Sequence, residues 1–133
     1  MTMAGGALPG DPAPVLLIED DLEALAIFEQ ILREHGFAVR KAASAEEGLL
    51  ELESGLPVTI VMDLRLPALD GLEGLRRIRA TPRYANIPVT VITADYLVDD
   101  SVVAQIEAMG AHMCFKPIWE EDLLRIVRED TGR

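Results

Sequence analysis

Five short apolar runs, separated by stretches with helical periodicity, are the feature that most constrains the fold of this chain. The runs are VLLI (15–18), FAVRKA (37–42), VTIVM (58–62), VTVI (89–92) and MCF (113–115). Most of them are apolar throughout rather than alternating, which is typical of parallel strands covered on both faces. Helices between parallel strands imply right-handed crossovers. We therefore predict an α/β fold, a three-layer α/β/α sandwich around a five-stranded parallel sheet.

Helix signals fill the intervals between these runs. Ser44 begins the sequence SAEE, a capping box for the second predicted helix. Later helices are predicted at about 71–80, 100–109 and 120–129. Residues 22–35 form the first predicted helix, which Gly36 ends, and its apolar side is predicted to carry Leu22, Leu25, Phe28, Ile31, Leu32 and His35.

Length and composition exclude several classes of protein. The chain has 133 residues, which favours one domain, and its net charge of -11 argues against direct nucleic-acid binding. No run approaches the ~18 apolar residues of a membrane span. Cys114 is the only cysteine, so the chain cannot form an internal disulfide, and we expect a reducing cytoplasm. Residues 1–13, rich in Gly, Ala and Pro, are predicted to be a flexible tail before a domain at 14–133.

Polar residues directly follow four of the five apolar runs. They are Glu19-Asp20-Asp21, Asp63, Thr93 and Lys116. With five strands the common flavodoxin-like order is 2-1-3-4-5, whose ligand crevice opens at the carboxyl ends of strands 1 and 3. Glu19, Asp20 and Asp63 would meet in that crevice, with Thr93 and Lys116 beside them.

Three carboxylates this close repel one another, and a hard divalent cation is the usual remedy. Mg²⁺ suits a site with one or two direct carboxylates, a backbone carbonyl and several waters. The alternative is that these acids are helix caps, and Asp21 is a candidate for that role. Lys116 is one of only two lysines among twelve arginine and lysine residues. In a chain that mostly uses arginine, this indicates a functional role for the compact charge of the lysine ammonium group. It is expected to pair with Asp63 or with a phosphoryl oxygen.

The motifs LLIEDD, VMDLRLPALDG, IPVTVITA and FKP stand in an order and spacing that resemble the receiver domain of bacterial two-component response regulators. The resemblance covers about residues 14–129. It implies that Asp63 is the phosphoacceptor and takes a phosphoryl group from a histidine of a sensor kinase or phosphotransfer protein. It further implies that Asp20, Asp63 and the backbone carbonyl of Arg65 hold Mg²⁺, with Glu19 acting through water. Lys116 would offset charge on the phosphoryl group.

The resemblance also implies a switch, in which the Thr93 hydroxyl moves toward the phosphoryl group and an aromatic ring turns inward behind it. The position of that aromatic, three residues before Lys116, is Met113 in this chain. A muted or different rearrangement is therefore expected. His112 is a possible substitute, although a solvated loop histidine is the more ordinary interpretation.

Two apolar residues are candidate partner contacts. Trp119 occupies the position of a helix cap, and either anchors a partner or packs locally over the last helix. Ile27 shares a helix face with polar residues and is expected to be exposed, on the helix that meets the histidine-bearing partner in similar proteins. The same family often pairs through its last helices and strand, so a homodimer is also expected. Arg65 and Asp95 are predicted to pair across the mouth of the site and to slow hydrolysis of the phosphoryl group.

Three readings of function remain open from sequence. The first is a stand-alone receiver, not an enzyme acting on other substrates, although a piece of a longer regulator would look the same. The second is a Mg²⁺-dependent phosphohydrolase, but such enzymes usually need an Asp two residues after the nucleophile, where this chain has Arg65. The third is a pseudo-receiver that binds partners without phosphorylation, which Met113 slightly favours and the intact acidic set opposes.

Overall fold

The computed structural model describes residues 13–131 and has the predicted sandwich architecture. Its five strands are all parallel and lie in the order β2-β1-β3-β4-β5. Elements alternate strictly along the chain: β1 Val15–Ile18, α1 Leu22–Glu34, β2 Val39–Ala42, α2 Ala45–Ser54, β3 Thr59–Asp63, α3 Gly71–Ala80, β4 Val89–Thr93, α4 Asp100–Ala108, β5 His112–Phe115 and α5 Glu120–Thr131.

The sheet separates two hydrophobic cores, because successive strand residues point to opposite faces. One core packs strand residues such as Ile60 and Met62 against α2, α3 and α4. The other packs strand residues such as Leu17 and Val61 against α1 and α5. β1, β3 and β4 are buried along their whole length, which explains why their sequences are apolar without alternation.

The first helix differs from its prediction at both ends. Its buried side chains are Leu25, Phe28 and Leu32, a narrower stripe than predicted. Leu22 is 68% exposed, because it stands in the first turn, beside the loop that follows β1. His35 is also exposed, since the helix ends at Glu34 and His35 serves as its cap.

Helix caps at the carboxyl edge of the sheet agree with the sequence. The Asp21 side chain accepts hydrogen bonds from the backbone N–H groups of Glu23 and Ala24. Ser44 accepts from the Glu47 N–H, while the Glu47 carboxylate accepts from the N–H of Ala43, one residue before the cap. The bonds fix where each loop ends and each helix begins.

Within residues 13–131, none of the helices combines the length and the apolar character needed to cross a bilayer. The flexible tail predicted at 1–13 falls almost entirely outside the described residues and stays a prediction.

Candidate functional site

Three carboxylates meet where β1 and β3 end, as the strand order predicts. Glu19 directly follows β1 and is 2% exposed, whereas Asp63 is the last residue of β3 and is 6% exposed. Asp20 is exposed beside them. One oxygen from each of these three carboxylates can be chosen so that all three atoms lie within 4.8 Å of one another. Oxygen ligands at this separation suit a hard divalent cation.

Lys116 reaches this acidic cluster from the end of β5. Its Nζ donates hydrogen bonds of 2.7 Å to Asp63 Oδ2 and of 2.7 Å to Glu19 Oε1. Burial raises the pKa of Glu19 to about 7; the hydrogen bond from Lys116 opposes this shift and the charge of Asp63 adds to it. Partial burial opposes the charged form of Lys116, but the hydrogen bonds to Asp63 and Glu19 prevail and raise its pKa. The ammonium group thus holds two buried acids together.

The loop after β3 presents the Asp63 carboxylate through close backbone contacts. The Arg65 N–H donates to Asp63 Oδ1 at 2.8 Å, and the Gly71 N–H donates to the Leu64 carbonyl at 2.8 Å. A Cβ on Gly71 would stand 2.4 Å from the Asp63 carbonyl oxygen, so only glycine fits there. Asp70 caps α3 by accepting from the Glu73 N–H at 2.9 Å. The Asp-Gly pair therefore seats α3 against the backbone of the Asp63 loop.

Thr93 and Asp95 form the opposite wall of the site. Thr93 is fully buried at the end of β4, and its Oγ1 accepts a hydrogen bond of 3.0 Å from the Asp95 N–H. The Asp95 carboxylate accepts a bond of 2.6 Å from Arg65 Nη2, which is the ion pair predicted from sequence. The hydrogen bond from Arg65 lowers the pKa of Asp95, and the Leu97 N–H adds to this effect.

The predicted switch and partner residues lie around this centre. Met113 is half-buried and packs against the core beneath α4. His112 is exposed, as expected of a solvated histidine. Trp119 is 63% exposed and Ile27 52% exposed. Trp119 stands just before α5, where its backbone N–H donates to Asp122 Oδ2 at 3.0 Å.

Sequence reasoning missed two contacts of the site. The first is the bond from Lys116 to Glu19; its signals were the scarcity of lysine in the chain and the strand order that brings both residues to one edge of the sheet. The second is a stack of Tyr96 on Phe115, with ring centroids 5.4 Å apart and an angle of 17° between the ring planes. The Tyr96 hydroxyl also donates to the Lys116 carbonyl. Both rings are close in sequence to site residues, Tyr96 to Asp95 and Phe115 to Lys116, and this proximity was the signal available.

Residues 15–128 match the family model described as the response regulator receiver domain. The chain belongs to this family. Its fold is that of similar solved receivers: a putative response regulator from Chloroflexus aurantiacus J-10-fl superposes with a TM-score of 0.81 at 31% identity, covering 92% of this chain and 99% of that one. The receiver domain of the sensor histidine kinase PA1611 from Pseudomonas aeruginosa PAO1 gives 0.80 at 29% identity, with the same two coverages. That structure has a magnesium ion coordinated in its active site cleft.

Two curated relatives of this receiver are about twice its length. The transcriptional regulatory protein PrrA of Mycobacterium bovis is 35% identical over 114 residues, which are 86% of this chain and 48% of PrrA. AfsQ1 of Streptomyces coelicolor, also a transcriptional regulatory protein, is 39% identical over 105 residues, 78% of this chain and 44% of AfsQ1. The chain thus spans about half the length of these relatives. The shared part places it in two-component signalling.

Proposed function

We propose that this receiver is a phosphoacceptor: Asp63 takes a phosphoryl group from a phosphohistidine, with Mg²⁺, and the modification alters partner binding. The observation that carries the proposal is Lys116 Nζ, 2.7 Å from the carboxylates of both Asp63 and Glu19. A fixed ammonium beside a buried carboxylate nucleophile is suited to offset charge as a phosphoryl group arrives.

In the proposed transfer, an Asp63 carboxylate oxygen forms a bond to phosphorus while the bond from phosphorus to the donor imidazole nitrogen breaks. The electron pair of that bond leaves with the imidazole. Lys116 already bonds Asp63 Oδ2, so it is positioned to follow charge onto the phosphoryl oxygens. Thr93 adds a hydroxyl at the same edge; its Oγ1 accepts from Asp95 and still has its own hydrogen to donate to a phosphoryl oxygen.

The donor set of the site fits Mg²⁺. Asp20, Asp63 and the backbone carbonyl of Arg65 would hold the ion, with Glu19 acting through water. Bound there, Mg²⁺ would supply charge neutralisation and a template for phosphoryl oxygens. Support comes from the clustering of three carboxylates within 4.8 Å, two of them buried, whose mutual repulsion a divalent cation relieves. The magnesium in the cleft of the similar PA1611 receiver agrees with this assignment.

Ile27 and Trp119 are proposed as contacts for the histidine-bearing partner, a sensor kinase or phosphotransfer protein. Both are large apolar side chains that remain more than half exposed. In Ile27→Ala and Trp119→Ala variants, transfer from a phosphohistidine protein should slow while phosphorylation by acetyl phosphate is unchanged. Leu50→Ala is the control, since Leu50 is equally exposed but lies on α2, on the other side of the sheet. Equal rates in all variants with the protein donor would remove both residues from the partner surface.

In addition to binding a histidine-bearing partner, the receiver is proposed to form a homodimer through α4, β5 and α5. β5 lies at the edge of the sheet and is largely exposed, beside a groove of about 410 Å³ between α4 and α5. Sedimentation of the phosphorylated and unphosphorylated chain tests it, and a monomer in both states would contradict it.

With a net charge of -11, we expect no direct binding of this receiver to nucleic acid.

The proposed function is tested by intact mass after incubation with Mg²⁺ and acetyl phosphate. We expect a gain of one phosphoryl group in the wild type and in Asp70→Asn, which keeps the α3 cap, and no gain in Asp63→Asn. If neither acetyl phosphate nor a phosphohistidine protein modifies the chain, and Mg²⁺ does not bind, a pseudo-receiver is the correct description. Turnover of a small phosphomonoester would instead indicate a phosphohydrolase. Arg65 argues against that function, because it occupies the position where such enzymes usually have an Asp as general acid.

A further inference from the structure

Tyr96 and Phe115 form a latch between the loop after β4 and the end of β5. The rings stack at 5.4 Å, and the Tyr96 hydroxyl donates to the carbonyl of Lys116, the residue that follows Phe115. Tyr96 is 63% exposed and Phe115 43% exposed, so burial does little to hold them together. Contacts of this kind are strong enough to select one conformation and weak enough to be exchanged for another.

The segment that carries Tyr96 is tethered to the phosphoacceptor site by its neighbour Asp95. The Asp95 N–H donates to Thr93 Oγ1 at 3.0 Å, and the Asp95 carboxylate accepts from Arg65 Nη2 at 2.6 Å. Arg65 in turn donates its backbone N–H to Asp63 Oδ1 at 2.8 Å. Asp63 is thus connected to Tyr96 through a short series of polar contacts.

A phosphoryl group on Asp63 changes both tethers. It carries about -1.5 to -2 charges in place of the single negative charge of the carboxylate, and it brings three strong acceptor oxygens beside Arg65 and Thr93. The Arg65 guanidinium then has a stronger acceptor than the Asp95 carboxylate it uses in this structure. The Thr93 hydroxyl, whose oxygen accepts from the Asp95 N–H here, gains an acceptor for its own hydrogen. The Asp95 carboxylate, by contrast, is repelled. The Arg65–Asp95 pair is therefore weakened, and the Thr93 side chain that accepts from the Asp95 N–H is drawn toward the phosphoryl group.

We propose that phosphorylation of Asp63 releases Tyr96 from Phe115 and from the Lys116 carbonyl, and so uncovers the end of β5. This inference rests on the proposed function and names the conformational element that responds to it. Met113 has no ring and packs its side chain against the core beneath α4, whereas Tyr96 and Phe115 lie at the surface. The change therefore reaches the surface through the Tyr96–Phe115 pair rather than through Met113.

The chain contains two tyrosines, Tyr84 and Tyr96, so 3-fluorotyrosine labelling gives two ¹⁹F signals that a Tyr96→Phe variant assigns. Tyr84 packs against the core at the opposite end of the sheet from the site and serves as an internal reference. On phosphorylation with acetyl phosphate and Mg²⁺, the Tyr96 signal should move toward that of free fluorotyrosine. The Tyr84 signal should stay where it is.

Removing the Phe115 ring distinguishes release of Tyr96 from a direct effect of the phosphoryl charge on the Tyr96 signal. In Phe115→Leu the Tyr96 signal should lie near the released position before any phosphorylation. Because the latch favours the unphosphorylated form, Phe115→Leu should also bind beryllium fluoride with Mg²⁺, a reversible phosphoryl analogue, about two- to tenfold more tightly than the wild type. Leu97→Ala is the matched control: Leu97 is 91% exposed on the same segment and takes no part in the stack.

The outcomes distinguish this inference from the proposed function. An unchanged Tyr96 signal in a sample that intact mass shows to be phosphorylated would overturn the latch and leave the phosphoacceptor function standing. Equal beryllium fluoride affinity in Phe115→Leu, Leu97→Ala and the wild type would also overturn it. Failure of Asp63 to accept a phosphoryl group from any donor would overturn both.

Discussion

The β1–β3 side of this receiver and its β5 edge differ in how deeply their residues are buried. Every residue of β1 and β3 is buried, and the acids Glu19 and Asp63 at their ends are buried too. β5 has no fully buried residue, and the aromatic pair at its end is largely exposed. The proposed phosphoryl chemistry thus stands on the fully buried, rigid part of the sheet. The Tyr96–Phe115 pair, proposed to respond to it, stands on an exposed edge, where opening is expected to cost less free energy.

Lys116→Met should have the largest effect, because Lys116 is the contact that joins the two sides. Its removal leaves Glu19 and Asp63 facing each other without a cation. Above the Glu19 pKa of about 7, the free energy of unfolding should fall by roughly 3 kcal/mol. This value is at the low end of the range for a buried ion pair that loses one partner, because Lys116 is partly exposed. Phosphorylation by acetyl phosphate should slow about 100-fold or more, as when one charge-stabilising donor is removed from a site.

Urea unfolding and intact-mass kinetics measure these two effects. Lys41→Met is the control, since Lys41 is the other lysine of the chain and pairs with Glu29 on an exposed surface. If both lysine variants behave alike, Lys116 does not connect the two sides in the way described.

Gly71→Ala should damage the rigid side selectively. The new Cβ would lie 2.4 Å from the Asp63 carbonyl oxygen and 2.8 Å from Leu64 Cα, so α3 must shift away from the Asp63 loop. We expect a loss of about 1–3 kcal/mol in unfolding free energy, together with slower phosphorylation.

Gly74→Ala, three residues later on the same helix, provides the contrast. Its Cβ would meet nothing nearer than Met62 Sδ at 3.4 Å, so we expect a stabilisation of about 0.5–1 kcal/mol from helix propensity alone. Thermal unfolding of the two variants checks both signs. Equal stability of the two variants would contradict the close approach at Gly71.

The effect of Mg²⁺ on stability should depend on pH through Glu19. Burial, opposed by the hydrogen bond from Lys116, raises the pKa of Glu19 from 4.5 to about 7. Between pH 4.5 and about 7, Glu19 keeps a proton in the folded chain that it has lost in the unfolded chain. The contribution of Glu19 to the free energy of unfolding therefore falls as the pH rises through this range. Mg²⁺ bound at the proposed site would offset the ionised carboxylate, so the rise in Tm that it causes should be larger at about pH 8 than at about pH 5.5.

Thermal melts with and without Mg²⁺ at the two pH values measure this difference. Glu19→Gln should remove most of the pH dependence while keeping a smaller rise in Tm. A rise in the wild type that is the same at both pH values would show that the Glu19 proton does not compete with the ion.

Breaking the Arg65–Asp95 pair should have the smallest effect, because the pair lies at the exposed mouth of the site. A pair that stays closed over the phosphoryl group would screen it from water, and both Arg65→Ala and Asp95→Ala would then shorten the dephosphorylation half-life by about two- to fivefold. Because the proposed latch opens the pair on phosphorylation and leaves Arg65 beside the phosphoryl oxygens, we expect this shortening in Arg65→Ala and little change in Asp95→Ala. Arg77→Ala, which removes an exposed pair with Glu73 on α3, should leave the half-life unchanged. An unchanged half-life in all three variants would end the screening role.

Much of this structure was predictable because it depends on strand periodicity. Apolar runs such as VTIVM predicted buried parallel strands, and the strand order then placed Glu19, Asp63 and Lys116 at one edge. Asp21 was a candidate helix cap because Asp is favoured at helix starts, and the structure gives it that role. The pairing of Arg65 with Asp95 was predicted from their spacing after Asp63 and Thr93. Each of these features is set by backbone geometry that a sequence pattern reports directly.

The features that escaped prediction depend on where side chains go. Leu22 fits the apolar side of a helix by periodicity, but its place in the first turn leaves it exposed. Tyr96 and Phe115 are 19 residues apart, and only the register of β4 with β5 brings them together. No local pattern encodes that contact. For this reason, the Tyr96–Phe115 contact at the end of β5 is harder to predict from sequence than the acidic cluster at the ends of β1 and β3.

The most direct test of the account is to locate the phosphoryl group. Borohydride reduces an aspartyl phosphate to homoserine, so tandem mass spectrometry of the phosphorylated, reduced and digested chain reports which carboxylate was modified. The account predicts homoserine at position 63 and unmodified aspartate at positions 20, 21 and 70. Homoserine at any of those three positions, with Asp63 intact, would contradict it.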